Sequence, residues 1–264
     1  MQKITSIILT KNEETNIERA IKSLAFCDEI IVVDDGSTDM TVEKCQMTNH
    51  QSQINSKIQI IKHESNGDFA TQRNWAMKQA SYEWILFLDA DEEVSDELQK
   101  EIISSIGAPE NDTSSYFLKR RDYFWSQELK YGEILKLRNR GLIRLIKKGS
   151  GKWGGKVHEE FIPDRPLVHR VGGPLAYINH YPHPTLKEFI SDINVYSGIR
   201  AQELHEAHVQ AGAFEMVIYP VFKFILNYFV YLGFFDGPQG FVYSFLMSFH
   251  SFLVRAKLYQ LNTD

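Results

Sequence analysis

The chain has 264 residues, 43% of them hydrophobic and 24% charged, enough for one large domain, or a domain with an appendage, around a full core. A formal net charge of −5 argues against a dedicated nucleic-acid binder. Cys27 and Cys45 show neither C-x-x-C pairing nor metal-ligand spacing, so they read as free thiols in a reducing compartment. A strand begins almost at once, with no basic segment leading into an apolar stretch and cleavage site; the expectation is a cytoplasmic protein.

The first half alternates strand and helix patterns. Ile4 to Leu9 is an apolar strand. Ile17, Ala20, Ile21 and Leu24 recur at helical spacing, which predicts an amphipathic helix over about 14–24. The strand Ile30–Val33 stops at Asp34-Asp35-Gly36-Ser37, with Ser37 or Thr38 available to cap a helix from Met40 to Met47. Ile58–Ile61 is a third strand, Asn66-Gly67 a turn, Phe69–Gln79 a helix and Trp84–Leu88 a fourth strand. Such alternation predicts an α/β fold with a mostly parallel sheet, in which ligands gather at the carboxyl ends of the strands.

Those ends carry unusual polar clusters: Thr10-Lys11-Asn12-Glu13, Asp34-Asp35-Gly36-Ser37 and Asp89-Ala90-Asp91. The third is the most informative. An apolar strand should not finish in two carboxylates one residue apart unless a positive charge meets them. Oxygen ligands favour Mg²⁺ or Mn²⁺. The plainer alternative is that Asp89 ends the strand and Asp91 caps the following helix.

The second half is less regular. Strands are expected at Tyr116–Lys119, Gly141–Lys147 and Tyr177–Tyr181, a glycine-rich turn at Gly149–Gly155, and a helix from Thr185 to about His208. Arg138, Arg140 and Arg144, with Lys136, Lys147 and Lys148, form a basic stretch that could meet an anionic acceptor or simply be solvated. From Phe214 to Tyr259 aromatic residues become dense, which marks a domain boundary: a domain over 1–213, divided near 110, then a helical extension over 214–264. The longest apolar run, Ile225–Phe235, is too short to span a bilayer. Two helices split near Asp236-Gly237-Pro238 could instead lie in a membrane interface, with Lys223, Arg255 and Lys257 at the headgroups. Packing on the catalytic domain and a dimer contact remain the alternatives.

Ser6–Glu14, Ile31–Asp39, Ala70–Asn74 and Leu88–Glu92, taken together, resemble glycosyltransferase family 2, inverting enzymes of the GT-A fold. Val157-His158-Glu159 and Gly233–Phe241 resemble a bacterial subgroup that includes lipopolysaccharide core β-glucosyltransferases. The resemblance implies a nucleotide-binding half over 1–110 and an acceptor half over 111–213. It implies that Thr10, Glu13 and Asp35 hold the uracil and ribose of a nucleotide sugar, and that Arg73 lies near the diphosphate. Asp89 and Asp91 would be the metal motif, Asp91 the direct ligand and Asp89 a ribose or water-mediated contact. Glu159 would be the catalytic base, with Glu160 as second choice. His158 would border the acceptor or be structural; His180 would complete the metal shell or be merely packed. The implied cofactor is Mg²⁺ or Mn²⁺ and the donor UDP-glucose, with UDP-galactose or an N-acetylhexosamine donor as alternatives. The acceptor would be a saccharide or lipid-linked saccharide of lipopolysaccharide, met at the cytoplasmic face of the inner membrane by a peripheral enzyme. Two other readings stay open. A sugar nucleotidyltransferase would need a glycine-rich loop that Thr10–Glu13 lacks. A non-catalytic nucleotide-sugar-binding relative would have no use for Asp89, Asp91 and Glu159 together.

Overall fold

A computed structural model describes residues 2–51, 57–107, 113–155, 159–165, 168–171, 173, 175–183 and 185–263. In chain order the elements begin β1 (Ile4–Thr10), α1 (Ile17–Ser23), β2 (Glu29–Asp34), α2 (Thr41–Gln51), β3 (Lys57–Lys62), α3 (Phe69–Gln79) and β4 (Trp84–Asp89). Then come β5 (Glu92–Val94), α4 (Asp96–Gly107), β6 (Ser115–Leu118), β7 (Arg120–Phe124), β8 (Gln127–Leu129), α5 (Ile134–Arg140) and β9 (Leu142–Lys147). The chain continues through β10 (Gly151–Gly154), β11 (Glu160–Pro163), β12 (Val168–Val171), β13 (Ile178–His180), α6 (Leu186–Glu206), α7 (Ala213–Ile225) and α8 (Gly237–Thr263). Two compact units result, one of residues 1–120 and 140–180, the other of 121–139 and 181–264.

The first unit is built on a seven-stranded sheet in the order β12-β6-β9-β4-β1-β2-β3. Only β9 runs against its neighbours. β1, β2 and β4 are buried along both faces, as a parallel sheet covered on both sides demands. Ile8, Val32 and Leu86 share one core with Ile17 and Ile21 of α1 and Leu98 and Ile102 of α4. Ile7, Ile31 and Phe87 share the other with Ala76 of α3 and Trp153 and Phe161. Register aligns Leu9 with Asp89 and Thr10 with Asp34, which brings the carboxyl ends of β1, β2 and β4 to one edge.

Three local expectations change. The segment expected as a glycine-rich turn contains β10, which pairs antiparallel with β11, Trp153 opposite Phe161. Its glycines allow close approach: a Cβ on Gly151 would lie 2.3 Å from the Ile162 carbonyl oxygen. Asp91 caps no helix, because β5 intervenes and Ser95 Oγ accepts from the Leu98 amide at the start of α4. At the start of α2 the backbone amide of Thr41 donates to Asp39, not to Ser37 or Thr38. Both cysteines are buried and unbridged. Burial pushes their thiols up, Cys45 to about 12, so they are inert packing residues.

In the second unit β7 and β8 form a hairpin, and α6 starts at a reciprocal cap between Thr185 and Glu188. Phe124, Leu129, Ile134, Phe189, Ile193 and Leu246 make its core. α7 runs without a break into a π-helical turn, Leu226–Val230, and a 3₁₀ turn at Gly233–Asp236 leads into α8. The buried Asp236 carboxylate accepts from the amides of Lys130 (3.0 Å) and Tyr131 (2.9 Å). Gly240 lies so close to Gly233 that an added Cβ would sit 2.0 Å from the Gly233 carbonyl oxygen. The motif Gly233–Phe241 thus ties the tail to the loop before α5. The helical stretch is longer than the apolar run read from the sequence: Ala213–Val230 has 18 residues with mean hydropathy 1.4. By length and composition alone it could cross a membrane.

Candidate active site

At the ends of β1 and β2 the loops are locked by side chain to backbone hydrogen bonds. Asn12 adopts φ 56°, its amide donates to Ser37 Oγ (2.9 Å), and its own Oδ1 accepts from the Thr38 amide (2.8 Å). The Glu13 amide donates to Thr41 Oγ1, and its carboxylate accepts from Asn16 (2.8 Å). Asp35 is aimed by three donors: the Ser65 amide (2.5 Å), Ser65 Oγ (3.0 Å) and Lys11 Nζ (3.2 Å). Thr10 Oγ1 is buried and makes no hydrogen bond among the described residues.

Beside this corner, at the end of β4, lies a chain of opposite charges. Asp89 accepts from Arg73 Nη2 at 2.7 Å on one oxygen and from Arg144 Nη2 at 2.6 Å on the other. Arg73 also donates through Nε to Glu159 Oε1 at 2.8 Å, so one guanidinium joins the two carboxylates. Its guanidinium rests over Trp153 (4.8 Å) and Phe87 (5.6 Å), an aromatic bed that holds it flat. Glu92, fully buried, accepts from the Asp89 amide at 3.0 Å and lies 3.6 Å from Arg144 and 3.5 Å from Arg120. Burial alone would push the Asp89 carboxyl up, but the charges of Arg144 and Arg73 outweigh it and hold Asp89 far below the usual carboxylate range. For Glu92 burial wins over Arg144 and Arg120, helped by the charge of Asp89, and its carboxyl is raised. Asp91 pairs with His180 Nε2 at 3.1 Å. Burial raises its carboxyl, yet His180 prevails and the net direction is down.

The sequence model of glycosyl transferase family 2 matches residues 5–159, more than half of the chain. The chain belongs to glycosyltransferase family 2. It is 29% identical over 261 residues to the lipopolysaccharide core biosynthesis glycosyltransferase LpsC of Rhizobium meliloti, covering 97% of this chain and 92% of LpsC. It is 28% identical over 272 residues to the uncharacterized glycosyltransferase RT0209 of Rickettsia typhi, covering 99% and 88%. Among solved structures, Staphylococcus aureus TarS 1–349 in complex with UDP aligns with a TM-score of 0.48 and 17% identity, over 99% of this chain and 90% of that one.

In this glycosyltransferase, Arg73, Asp89, Asp91, Glu159 and His180 come together, while Thr10, Glu13 and Asp35 occupy the adjoining sheet ends. His180 reaches Asp91 because β13 pairs with β5 in a register that sets His180 opposite Glu92. Glu160 points elsewhere: its side chain is 69% exposed and pairs with Arg140 at 3.7 Å. His158 lies outside the described residues. The basic stretch is not one solvated patch, although Arg140 stays exposed. Arg144 is buried on Asp89, Arg138 binds Glu128 at 2.6 Å, and Lys148 is held by the carbonyl oxygens of Lys78 and Ala80. Arg144 and Glu92 are therefore site residues that the sequence reading missed as such. A usable clue was present: a single charge inside the apolar strand Leu142-Ile143-Arg144-Leu145-Ile146 must be paired if that strand is buried.

The donor set decides where a divalent ion fits. Both Asp89 oxygens already receive guanidinium groups, so that carboxylate suits a structural role. Asp91 and His180 supply an oxygen and a nitrogen side by side. Among the described residues no cluster of three or more His, Cys, Asp or Glu forms a ready cage. Two protein ligands suffice for an ion that keeps waters and takes the rest of its shell from phosphate oxygens.

Proposed function

We propose that the enzyme moves a hexose from UDP-glucose, with inversion, to a saccharide or lipid-linked saccharide acceptor in lipopolysaccharide synthesis. The observation that carries this is the linkage of Glu159 to the Asp89–Asp91 motif through one buried arginine, at the edge where the nucleotide-corner residues also gather. Likeness to LpsC along nearly the whole of both chains supports the cell-envelope setting.

In the mechanism, Asp35, Glu13 and Thr10 receive the uracil and ribose; carboxylates accept from uracil N3–H and ribose hydroxyls, and the unpartnered Thr10 hydroxyl can do either. Asp91 and His180 would hold Mg²⁺ or Mn²⁺, which when bound acts as a Lewis acid toward the departing diphosphate. Glu159 takes the acceptor's hydroxyl proton on Oε2, since Oε1 is engaged by Arg73. The acceptor oxygen attacks the anomeric carbon as its bond to the diphosphate breaks, so an α-linked donor yields a β product. Asp89 keeps Arg73 in place and takes no direct part.

A thermal-shift panel with Mn²⁺ and UDP-glucose, UDP-galactose, UDP-N-acetylglucosamine and GDP-mannose tests the donor. At 100 times its Kd the true donor should stabilise by ~2.7 kcal/mol, a rise of several degrees. The Asp91→Ala enzyme should lose the manganese-dependent part. A panel in which UDP-glucose shifts nothing sinks the donor assignment; a metal-dependent shift intact in Asp91→Ala sinks the metal role.

The tail supports association with the cytoplasmic face of the membrane. Phe214, Val217, Val221, Phe222, Phe229 and Phe235 are exposed together on α7 and the turns that follow it. Mid-helix, Lys223 binds Glu133 at 2.5 Å. An ion pair there suits a helix lying in the interface better than one crossing the bilayer. Full-length enzyme should co-sediment with anionic phospholipid vesicles, and Phe222→Ser with Phe229→Ser should weaken this severalfold. Equal sedimentation of both proteins counts against the interface.

A further inference from the structure

We infer that Arg144, anchored by Glu92, is a positioning residue for sugar transfer. The inference rests on Glu159 being the base, and it begins in the backbone. β9 pairs with β6 in a register that sets Tyr116 opposite Leu145 and then Phe117 opposite Ile143. Arg144 is the extra residue left without an opposite number, a β-bulge. Bulges interrupt the ladder and re-aim one side chain, often beside an active site. Here the redirected side chain ends on Asp89, 2.6 Å away.

Stability does not account for this arrangement. Arg144 is 6% exposed, and its Nε and Nη1 find no hydrogen-bond partner among the described residues; Glu92 Oε1 is likewise without one there. Such groups are expensive to bury, and a buried ion pair is often replaced by apolar side chains without loss of stability. What Arg144 contributes is geometry. Held by Arg73 alone, Asp89 could swing with that arginine, and Glu159 would follow. With a second guanidinium on its other oxygen and Glu92 on its amide, Asp89 is fixed from three directions. The constraint then passes through Arg73 to Glu159, 2.8 Å beyond. Positioning of this kind matters because misplacement by about 1 Å can cost roughly 100-fold in rate.

The test separates geometry from folding. Arg144→Met combined with Glu92→Leu removes one charge of each sign and leaves Asp89 paired with Arg73. Arg144→Lys keeps the charge but loses the fork. Turnover is read as UDP release from the nucleotide sugar selected by the panel, with membranes from cells deleted for this gene as acceptor. Stability is read by urea denaturation. We expect the double variant to match the wild type in stability while kcat falls ~10- to 100-fold, with the donor KM changed less than about 3-fold. Arg144→Lys should fold and show the same split. Wild-type kcat in Arg144→Lys, or in a stably folded double variant, overturns the inference, as does a loss confined to KM. If the double variant does not fold, Arg144→Lys decides alone. Failure of the base assignment is distinguishable, because it shows as turnover retained in Glu159→Gln.

Discussion

Asp89→Ala should lose about 3–5 kcal/mol of folding stability, the largest effect of any single change at this site. The reason is what stays behind. Arg73 and Arg144 are both buried, and the substitution leaves two guanidinium groups facing each other where a carboxylate had neutralised them. Asp89→Asn should recover little, since an amide carries no charge. Asp91→Ala should be mild by comparison, because Asp91 pairs only with His180 among charged partners at salt-bridge distance in the described residues. Urea denaturation of the three variants checks the contrast, and a loss under ~1 kcal/mol for Asp89→Ala would remove Asp89 from its structural role. The pH dependence carries a sign. A carboxyl held down in the folded state stabilises above its unfolded pKa, near 3.9, and loses that contribution as pH falls toward the folded value. Glu92, held up by burial, acts oppositely: its ionisation costs stability as pH rises from the unfolded pKa through the raised one. Asp89→Ala should therefore weaken the acid dependence of stability, with little change in its slope near neutrality.

Glu159→Gln should keep nucleotide-sugar binding and lose at least ~100-fold in turnover, the low end for a positioned general base. Glutamine is nearly isosteric, and its Oε1 can still accept from Arg73 Nε, so the linkage to Asp89 survives while the proton acceptor does not. Glu160→Gln should have little effect, given its exposure and its orientation toward Arg140. Single-turnover measurements with saturating donor separate chemistry from binding. Should the loss appear in Glu160→Gln instead, the base must be reassigned.

The first half of the chain was legible because local pattern and tertiary need agree there. Helix α3 occupies the expected span, Phe69–Gln79, with Asp68 accepting from the Thr71 amide at its start. Buried strands ending in polar clusters pointed to the edge where the candidate site residues gather. The region after residue 110 was harder, since β6 to β13 are short and several pair antiparallel over long sequence distances. Part of the surroundings of Asp89 stayed hidden for a related reason. Its need for positive charge was read correctly, but the nearest solution in sequence is a bound ion, whereas the solution in space includes Arg144, 55 residues away. Local density misled as well: Arg138, Arg140 and Arg144 look like one basic patch, yet each meets a different carboxylate. By contrast, the alternation of an extended segment is seen at Glu159 and Glu160, the first largely buried on Arg73 and the second exposed.

The pairing of β5 with β13 limits how this enzyme can be dissected. Three residue pairs, from Ile178 with Val94 to His180 with Glu92, deliver an imidazole to an aspartate encoded 89 positions earlier. A fragment cut after α4 would retain β1 to β4 and the loops around Thr10, Glu13 and Asp35, yet carry Asp89 and Glu92 without Arg144, and Asp91 without its histidine. Such a fragment keeps only Arg73 against the acid at its rim, so efforts to graft or truncate this half of the sheet must carry the chain through His180.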